Sequence, residues 1–369
     1  VMLLDQNEDA LDNALKRIWD HYQKKITSGN LSSIKASELL NHLSCLRNWE
    51  EISKANLIIE AVYEDLEIKK EVFRKMDQFA NSNAIFGTNT SYLDVDEIAA
   101  ATSRAQRVMG LHFFSPAHSM KLLEVVNGRC TSSEVLQVGI GLESRLNKYV
   151  AVTKNCFGFV GNRIYNAYRT QCEFMLEDGV LPEEIDEALV KFGMAMGPFA
   201  VADLSGLDIA WRMRKSRQPK QGSRYVDILD TLCELGRFGR KTGSGYYDYI
   251  QGERRAHTGD LVRQIVEDAS RRRGIARQKI SVENIQKRAL LSMVNEAALL
   301  MHEGVIERAS DIDLVLIHGY GFPRWRGGPI FWAQQQNIQQ LQEDIRSLVQ
   351  HDATGFIPAD ISILYAKSS

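Results

Sequence analysis

A chain of 369 residues with 44% apolar and 25% charged side chains is too long for one ordinary core, which implies a globular protein of two or three domains. A formal net charge of −2 gives no electrostatic footprint for nucleic acid, and no apolar run approaches the roughly 20 residues that span a bilayer. Five cysteines without Cys-x-x-Cys spacing disfavour zinc and a disulfide framework and point to a reducing compartment, and the start lacks the charged and small-residue regions of a signal peptide.

The opening Val1-Met2-Leu3-Leu4-Asp5 reads as a short strand closed by an acid. Leu11, Leu15, Ile18, Trp19 and Tyr22 then fall on one face of a helix that ends near Gly29. Asn56–Val62 reads as a buried strand, Leu66–Phe79 as a helix, Ala84–Gly87 as a strand, and a short helix follows Asp94. Apolar strands alternating with helices predict a doubly wound, Rossmann-type α/β fold with a parallel sheet. An acid ending the opening strand either accepts the adenosine ribose hydroxyls of a dinucleotide or caps the next helix, so Asp5 has two readings. The glycine-rich fingerprint expected about 20 residues before such an acid is not in the chain. The sheet is therefore read as lacking its first, central strand, Val1 as a cut end, and a molecule starting there as a poor dinucleotide binder. The absence of Arg or Lys at Gln6-Asn7 favours NAD over its 2′-phosphorylated form.

The chemistry gathers further on. Val108–Phe114 reads as a buried strand ended by Pro116, and Leu122–Val126 as a second strand after a bend. His112 and Glu124 thus sit on adjacent extended segments and are expected to face one cavity, the pairing that removing a proton from an alcohol requires. A lone histidine on an apolar strand is more often a core residue, whereas a carboxylate among Leu and Val is costly without a partner. His118 reads as a surface histidine.

Near Thr153 strand-like runs give way to long helical patterns, which places a boundary there: 1–153 for dinucleotide binding, 154–250 for a first helical substrate domain and 251–369 for a second. The second repeats the first. Glu177-Asp178-Gly179-Val180, Ile185-Asp186 and Gly197-Pro198 recur as His302-Glu303-Gly304-Val305, Ile312-Asp313 and Gly328-Pro329, offset by about 125 to 131 positions. Asn162 in the first copy has no polar counterpart with the same neighbours, and its structural reading is a cap of the helix from Arg163 to Glu177. Arg214–Arg224 reads as a mobile surface loop, Arg271–Arg273 as a solvated helix end, and Gly236–Gly245 as a tight loop packing Tyr246–Tyr249 between the copies.

Taken together, Asp5, Glu60–Glu64, Thr88–Ser91, the His112 segment with Glu124, and Gly158–Arg163 resemble the 3-hydroxyacyl-CoA dehydrogenase family in its own motif order, over essentially the whole chain. The second copy, with Gly319–Pro329, resembles the duplicated form found in fatty-acid oxidation multifunctional enzymes. The resemblance implies an NAD-dependent oxidation of a (3S)-hydroxyacyl-CoA thioester to the 3-ketoacyl-CoA. It assigns His112 as base, Glu124 as the group that orients it, and Ser91 and Asn162 as hydrogen-bond partners of the substrate. It also implies that Glu64, Lys69 and Asn89 line the ribose side of the cofactor, together with Asp5. Many family members carry Asn where this chain has Ser115, which is accordingly placed away from the substrate. No nucleic acid or membrane partner is expected. The duplicated half leaves room for a monomer and for association with an enoyl-CoA hydratase domain. Lys367-Ser368-Ser369 is not a Ser-Lys-Leu address, so a bacterial-type cytoplasm is expected, with the peroxisome as the alternative. The rival readings are another hydroxy-acid dehydrogenase and a non-catalytic, dinucleotide-binding structural protein.

Overall fold

The computed structural model describes residues 1–215, 223–249, 257–352 and 356–365, so most of the 214–224 loop and the last four residues lie outside the described set. Two compact units emerge: Val1–Leu111 with Gly128–Gln137, and His112–Asn127 with Val138–Ser369.

The first unit contains β1 (Met2–Leu3), α1 (Glu8–Thr27), α2 (Ser33–Asn41), β2 (Ser44–Cys45), β3 (Leu57–Glu60), α3 (Leu66–Phe79), β4 (Ile85–Thr88), α4 (Val95–Ala99) and most of β5 (Val108–Phe113). All pairings within it are parallel: Met2 lies opposite Ser44, Leu57 opposite Ile85, and Phe86 opposite Val108. Asp65 starts α3 by accepting from the Glu67 and Ile68 amides, and the helix buries Val72, Phe73 and Met76. Phe73 meets Phe86 of β4 edge-on at 6.0 Å, at the centre of this unit's core.

The expected sheet is present in two pieces, because β1 and β2 pair with each other and, among the described residues, no strand pairs with the outer edge of β3. In a doubly wound order the first strand would run between those pieces. The helix predicted after Asp5 forms, but its apolar stripe is only partly covered: α1 has no buried residue and Trp19 is 48% exposed.

The second unit carries β6 (Leu122–Asn127) and β7 (Tyr149–Lys154), parallel from Leu122 opposite Tyr149 to Asn127 opposite Lys154, with α5 (Ser133–Leu146) between them in sequence. Helices follow: α6 (Gly161–Asp178), α7 (Pro182–Phe192), α8 (Pro198–Ser205), α9 (Leu207–Lys215), α10 (Ile228–Glu234), α11 (Asp260–Arg272), α12 (Val282–His302), α13 (Ala309–Gly319), α14 (Pro329–Gln334), α15 (Ile338–Ser347) and α16 (Val349–Asp352). The compact units therefore do not divide at Thr153. β6 and β7 pack under α13, and Phe114, Leu122 and Ala151 share one core with Val315 and Leu316. Apolar cover, rather than chain order, decides which unit a strand joins.

The repeat is visible in atomic detail. Asp186 on α7 accepts from the Phe199 and Ala200 amides (3.0 and 2.8 Å), and Asp313 on α13 accepts from Ile330 and Phe331 (2.7 and 3.0 Å). Each aspartate thereby satisfies the orphan N–H groups of the helix that begins with Gly-Pro. A Cβ on Gly197 would lie 2.2 Å from the Asp186 carboxyl carbon and one on Gly328 2.3 Å from that of Asp313, so both glycines are required by the close approach.

Two loop readings are corrected. Arg224, at the end of the first loop, is turned inward onto Glu177 and Asp178 at 2.8 Å rather than facing solvent, whereas Arg271–Arg273 form the exposed helix end expected of them, with Arg273 also reaching buried Glu177 at 3.0 Å. The Gly236–Gly245 loop closes within the first copy: Asp203 accepts from the Tyr246 and Tyr247 amides and the Tyr249 hydroxyl, and the Tyr247 hydroxyl donates to Asp186.

Candidate active site

β5 and β6 each present five buried residues in succession, and His112 and Glu124 lie within those runs at 4% and 0% exposure. The connector between them is fastened by Lys148, whose ammonium donates to the Ala117 and Met120 carbonyls, both at 2.7 Å. Burial, and then the charge of Lys121, hold that ammonium below the usual lysine range.

His112 Nδ1 and Glu124 Oε2 are 2.7 Å apart. A carboxylate can only accept, so Nδ1 carries the hydrogen and the lone pair is on Nε2, the tautomer a general base needs. The second carboxylate oxygen accepts from the Val160 and Gly161 amides at 3.2 and 3.0 Å, at the start of α6. A buried negative charge is thus compensated by three donors and the positive end of an 18-residue helix. The chain reaches this position through two left-handed residues, Gly158 (φ 75°) and Phe159 (φ 49°). A non-glycine residue held there stores strain on the order of 1–3 kcal/mol. Phe159 is fully buried, with its ring 5.6 Å from that of His112, and Phe114 packs on the same imidazole at 4.4 Å.

Asn162 lies in the first turn of α6, whose N-cap is Val160, so it is not the cap of that helix. Its Oδ1 accepts from the Tyr320 hydroxyl at 2.8 Å. Arg163, next along, binds Glu296 and Glu303 of the second copy, and these bonds raise its pKa against the cost of burial. His118 and Ser115 are exposed on the connector.

The remaining candidates belong to the first unit. Glu64, after β3, gathers two of them, Ser91 and Lys69: its Oε1 accepts from the Thr90 hydroxyl at 2.6 Å and from the Ser91 amide at 2.9 Å, and its Oε2 lies 3.5 Å from the Lys69 ammonium. Lys69 has no exposed surface and is bound to buried Glu60 at 2.7 Å, so its ammonium faces Glu60 and Glu64 rather than solvent. Glu60 also accepts from the Thr88 hydroxyl, and its carbonyl accepts from the Asn89 amide, which fixes Asn89 at the carboxyl end of β4. Asp5 stands exposed after β1, its Oδ1 accepting from the Asn7 amide. The capping reading of Asp5 falls, because Asn7 is the residue that caps α1. Acceptors at the carboxyl ends of β1 and β3 fit the ribose hydroxyls of a dinucleotide, which binds at that end of a parallel sheet.

Family models agree with this chemistry. The NAD-binding domain of 3-hydroxyacyl-CoA dehydrogenase matches residues 1–156, and the C-terminal domain of the same enzyme matches residues 158–249. The chain belongs to the 3-hydroxyacyl-CoA dehydrogenase family. Its relatives include the peroxisomal bifunctional enzymes of Cavia porcellus (40% identical, covering 83% of this chain and 44% of that protein) and Homo sapiens (39%, covering 94% and 50%). The chain spans about half the length of the curated relatives it matches. Among solved structures, 3-hydroxybutyryl-CoA dehydrogenase from Escherichia coli matches with a TM-score of 0.81 at 25% identity, covering 99% of this chain and 92% of that one. The dehydrogenase part of multifunctional enzyme 1 from C. elegans matches at 0.67 and 29%, covering 99% and 83%. The curated relatives are named as peroxisomal, which gives no support to a cytoplasmic setting.

Sequence reasoning included Glu60, Gly161 and Tyr320 in its motifs but gave none of them a role of its own. Glu60 carries a signal, an acid ending an apolar strand nine residues before a lysine on a helix. Tyr320 carries none, since 158 positions separate it from Asn162.

Proposed function

We propose that this chain oxidises (3S)-hydroxyacyl-CoA thioesters to 3-ketoacyl-CoA with NAD, as the dehydrogenase portion of a multifunctional enzyme of fatty-acid β-oxidation. The observation that carries this reading is the buried His112–Glu124 pair, 2.7 Å apart, with its carboxylate seated on the start of α6. His112 Nε2 takes the 3-hydroxyl proton as the hydrogen on C3 departs with its electron pair, leaving a C3 carbonyl. NAD, when bound, accepts that hydride. Glu124 keeps the imidazole in the required tautomer and faces the positive charge that develops on it. Asn162 and Ser91 hydrogen-bond the substrate's oxygens and fix C3 in place. Asp5, Glu64 and Asn89 bind the cofactor's ribose side, with Lys69 holding Glu64.

A peroxisomal setting and a hydratase portion of the same protein go with this reading, since the relatives are peroxisomal bifunctional enzymes about twice as long. The test is His112→Gln, which should lower kcat by about 10²–10⁴, the range general-base catalysis spans, and leave NADH affinity largely intact. Wild-type turnover in that variant removes the base. Acetoacetyl-CoA competed against small free keto acids separates this activity from other hydroxy-acid dehydrogenases. NADH binding without turnover of any acyl-CoA would mark a structural protein.

A further inference from the structure

We propose that Tyr320, contributed by the second helical copy, is a positioning residue that sets the sense of the Asn162 side-chain amide for the reaction. The inference rests on the reading that Asn162 hydrogen-bonds the substrate. The phenolic hydroxyl, 2.8 Å from Asn162 Oδ1, donates to the amide oxygen, so the NH2 group is the end directed elsewhere. An asparagine rotated by half a turn would present a lone pair where a substrate oxygen needs a donor. The hydroxyl discriminates between the two.

Three independent features deliver the ring to this place. Gly161 leaves it room, because a Cβ there would lie 2.4 Å from Tyr320 Cε2 and 2.7 Å from its hydroxyl. Phe114 meets the ring edge-on at 5.5 Å, and Tyr165 packs on it at 5.4 Å. Gly319 allows the end of α13 to rest on β6, since a Cβ there would be 2.7 Å from Leu122. Phe114 is also the ring packed at a tilt against His112 and Gly161 is also an amide donor to Glu124, so one tyrosine touches the neighbours of both the base and the asparagine. The second copy thereby supplies a part of the site that the first copy does not hold within itself.

The experiment is a double-mutant cycle on the complete protein with Tyr320→Phe, which keeps the ring, and Asn162→Ala. Removing the hydroxyl alone should lower kcat/KM for acetoacetyl-CoA about tenfold, the worth of one hydrogen bond, with NADH Kd and melting temperature unchanged. In the Asn162→Ala background the same change should have no further effect. A merely structural hydroxyl would lower the melting temperature and act equally in both backgrounds, which overturns the proposal. So does wild-type kcat/KM in Tyr320→Phe when Asn162→Ala is impaired. Full activity in Asn162→Ala would sink the underlying reading of Asn162 as well.

Discussion

The two helical copies share a frame and differ in what they place on it. In each, a long helix leads through Gly179 or Gly304 into a second helix, whose aspartate reaches across to the amides of a Gly-Pro helix start. The frame is kept by backbone-directed carboxylates, which recognise geometry and tolerate any neighbouring sequence. The chemistry is kept elsewhere. The 125-residue offset of Gly179 and Gly304 sets Gln286 opposite Gly161 and Lys287 opposite Asn162. Gln286 donates to the Ala188 carbonyl at 2.7 Å, and Lys287, half exposed, pairs with Asp344 at 2.7 Å. The first copy turns the start of α6 toward the buried Glu124 carboxylate, whereas the corresponding residues of the second copy lie in the second turn of α12, where Gln286 holds the first copy. Two residues separate a site from a buttress.

The most direct way to break this comparison is to exchange those residues. Gly161→Gln gives the first copy the second copy's residue, forcing a side chain against Tyr320 and displacing the amide that holds Glu124. Overpacking of this kind costs about 1–3 kcal/mol, and a misplacement near 1 Å at the chemistry costs about 10²-fold in kcat. The reverse exchange, Gln286→Gly, should lower stability by about 1 kcal/mol and leave kcat unchanged. Steady-state kinetics on both variants decide the matter, and equal kcat losses would erase the distinction between site and buttress.

A smaller effect tests the shared frame. Asp186→Ala and Asp313→Ala each strand two backbone N–H groups, and should destabilise by about 3 kcal/mol apiece in denaturant unfolding. Asp186→Ala should cost the more, because the Tyr247 hydroxyl loses its acceptor as well. A variant that unfolds like wild type would mean that its aspartate is not part of a duplicated frame.

How far the sequence foretells all this depends on how far apart the partners lie. His112 and Glu124 are 12 positions apart on consecutive apolar strands, so their meeting is legible from alternation and a bend. The repeat is legible because a Gly-Pro helix start and an Ile-Asp pair leave fixed marks. The function of those aspartates is not, since their acceptor bonds span 13 to 18 positions and depend on how two helices cross. The resemblance sets Lys69 on the cofactor's ribose side, and nothing in the sequence foretells that its ammonium is fully buried against Glu60. Helix α1 shows the limit of periodicity, which predicts a stripe and says nothing of whether the chain supplies a surface to cover it.

The last expected effect is in the pH dependence of the two frame aspartates. Burial raises Asp313 from 3.8 to about 7, against the pull of its two amide donors, and raises Asp186 to about 6, where the Tyr247 hydroxyl adds a third donor. A carboxyl whose folded pKa exceeds its unfolded one holds its proton more tightly in the native state. Its contribution to stability is therefore fully present below about pH 4 and lost as pH rises through the folded value. The amide in Asp313→Asn does not titrate, so the stability of wild type relative to that variant should fall between pH 5 and 7 and flatten above about 8. For Asp186→Asn the same decline should end about one unit lower, because the extra donor favours the ionised form. Urea unfolding at half-unit pH steps reads both curves. If the two differences stay flat from pH 5 to 8, the carboxyls are ionised throughout and their donors outweigh burial. If they flatten at the same pH, the third donor on Asp186 does not separate the copies electrostatically.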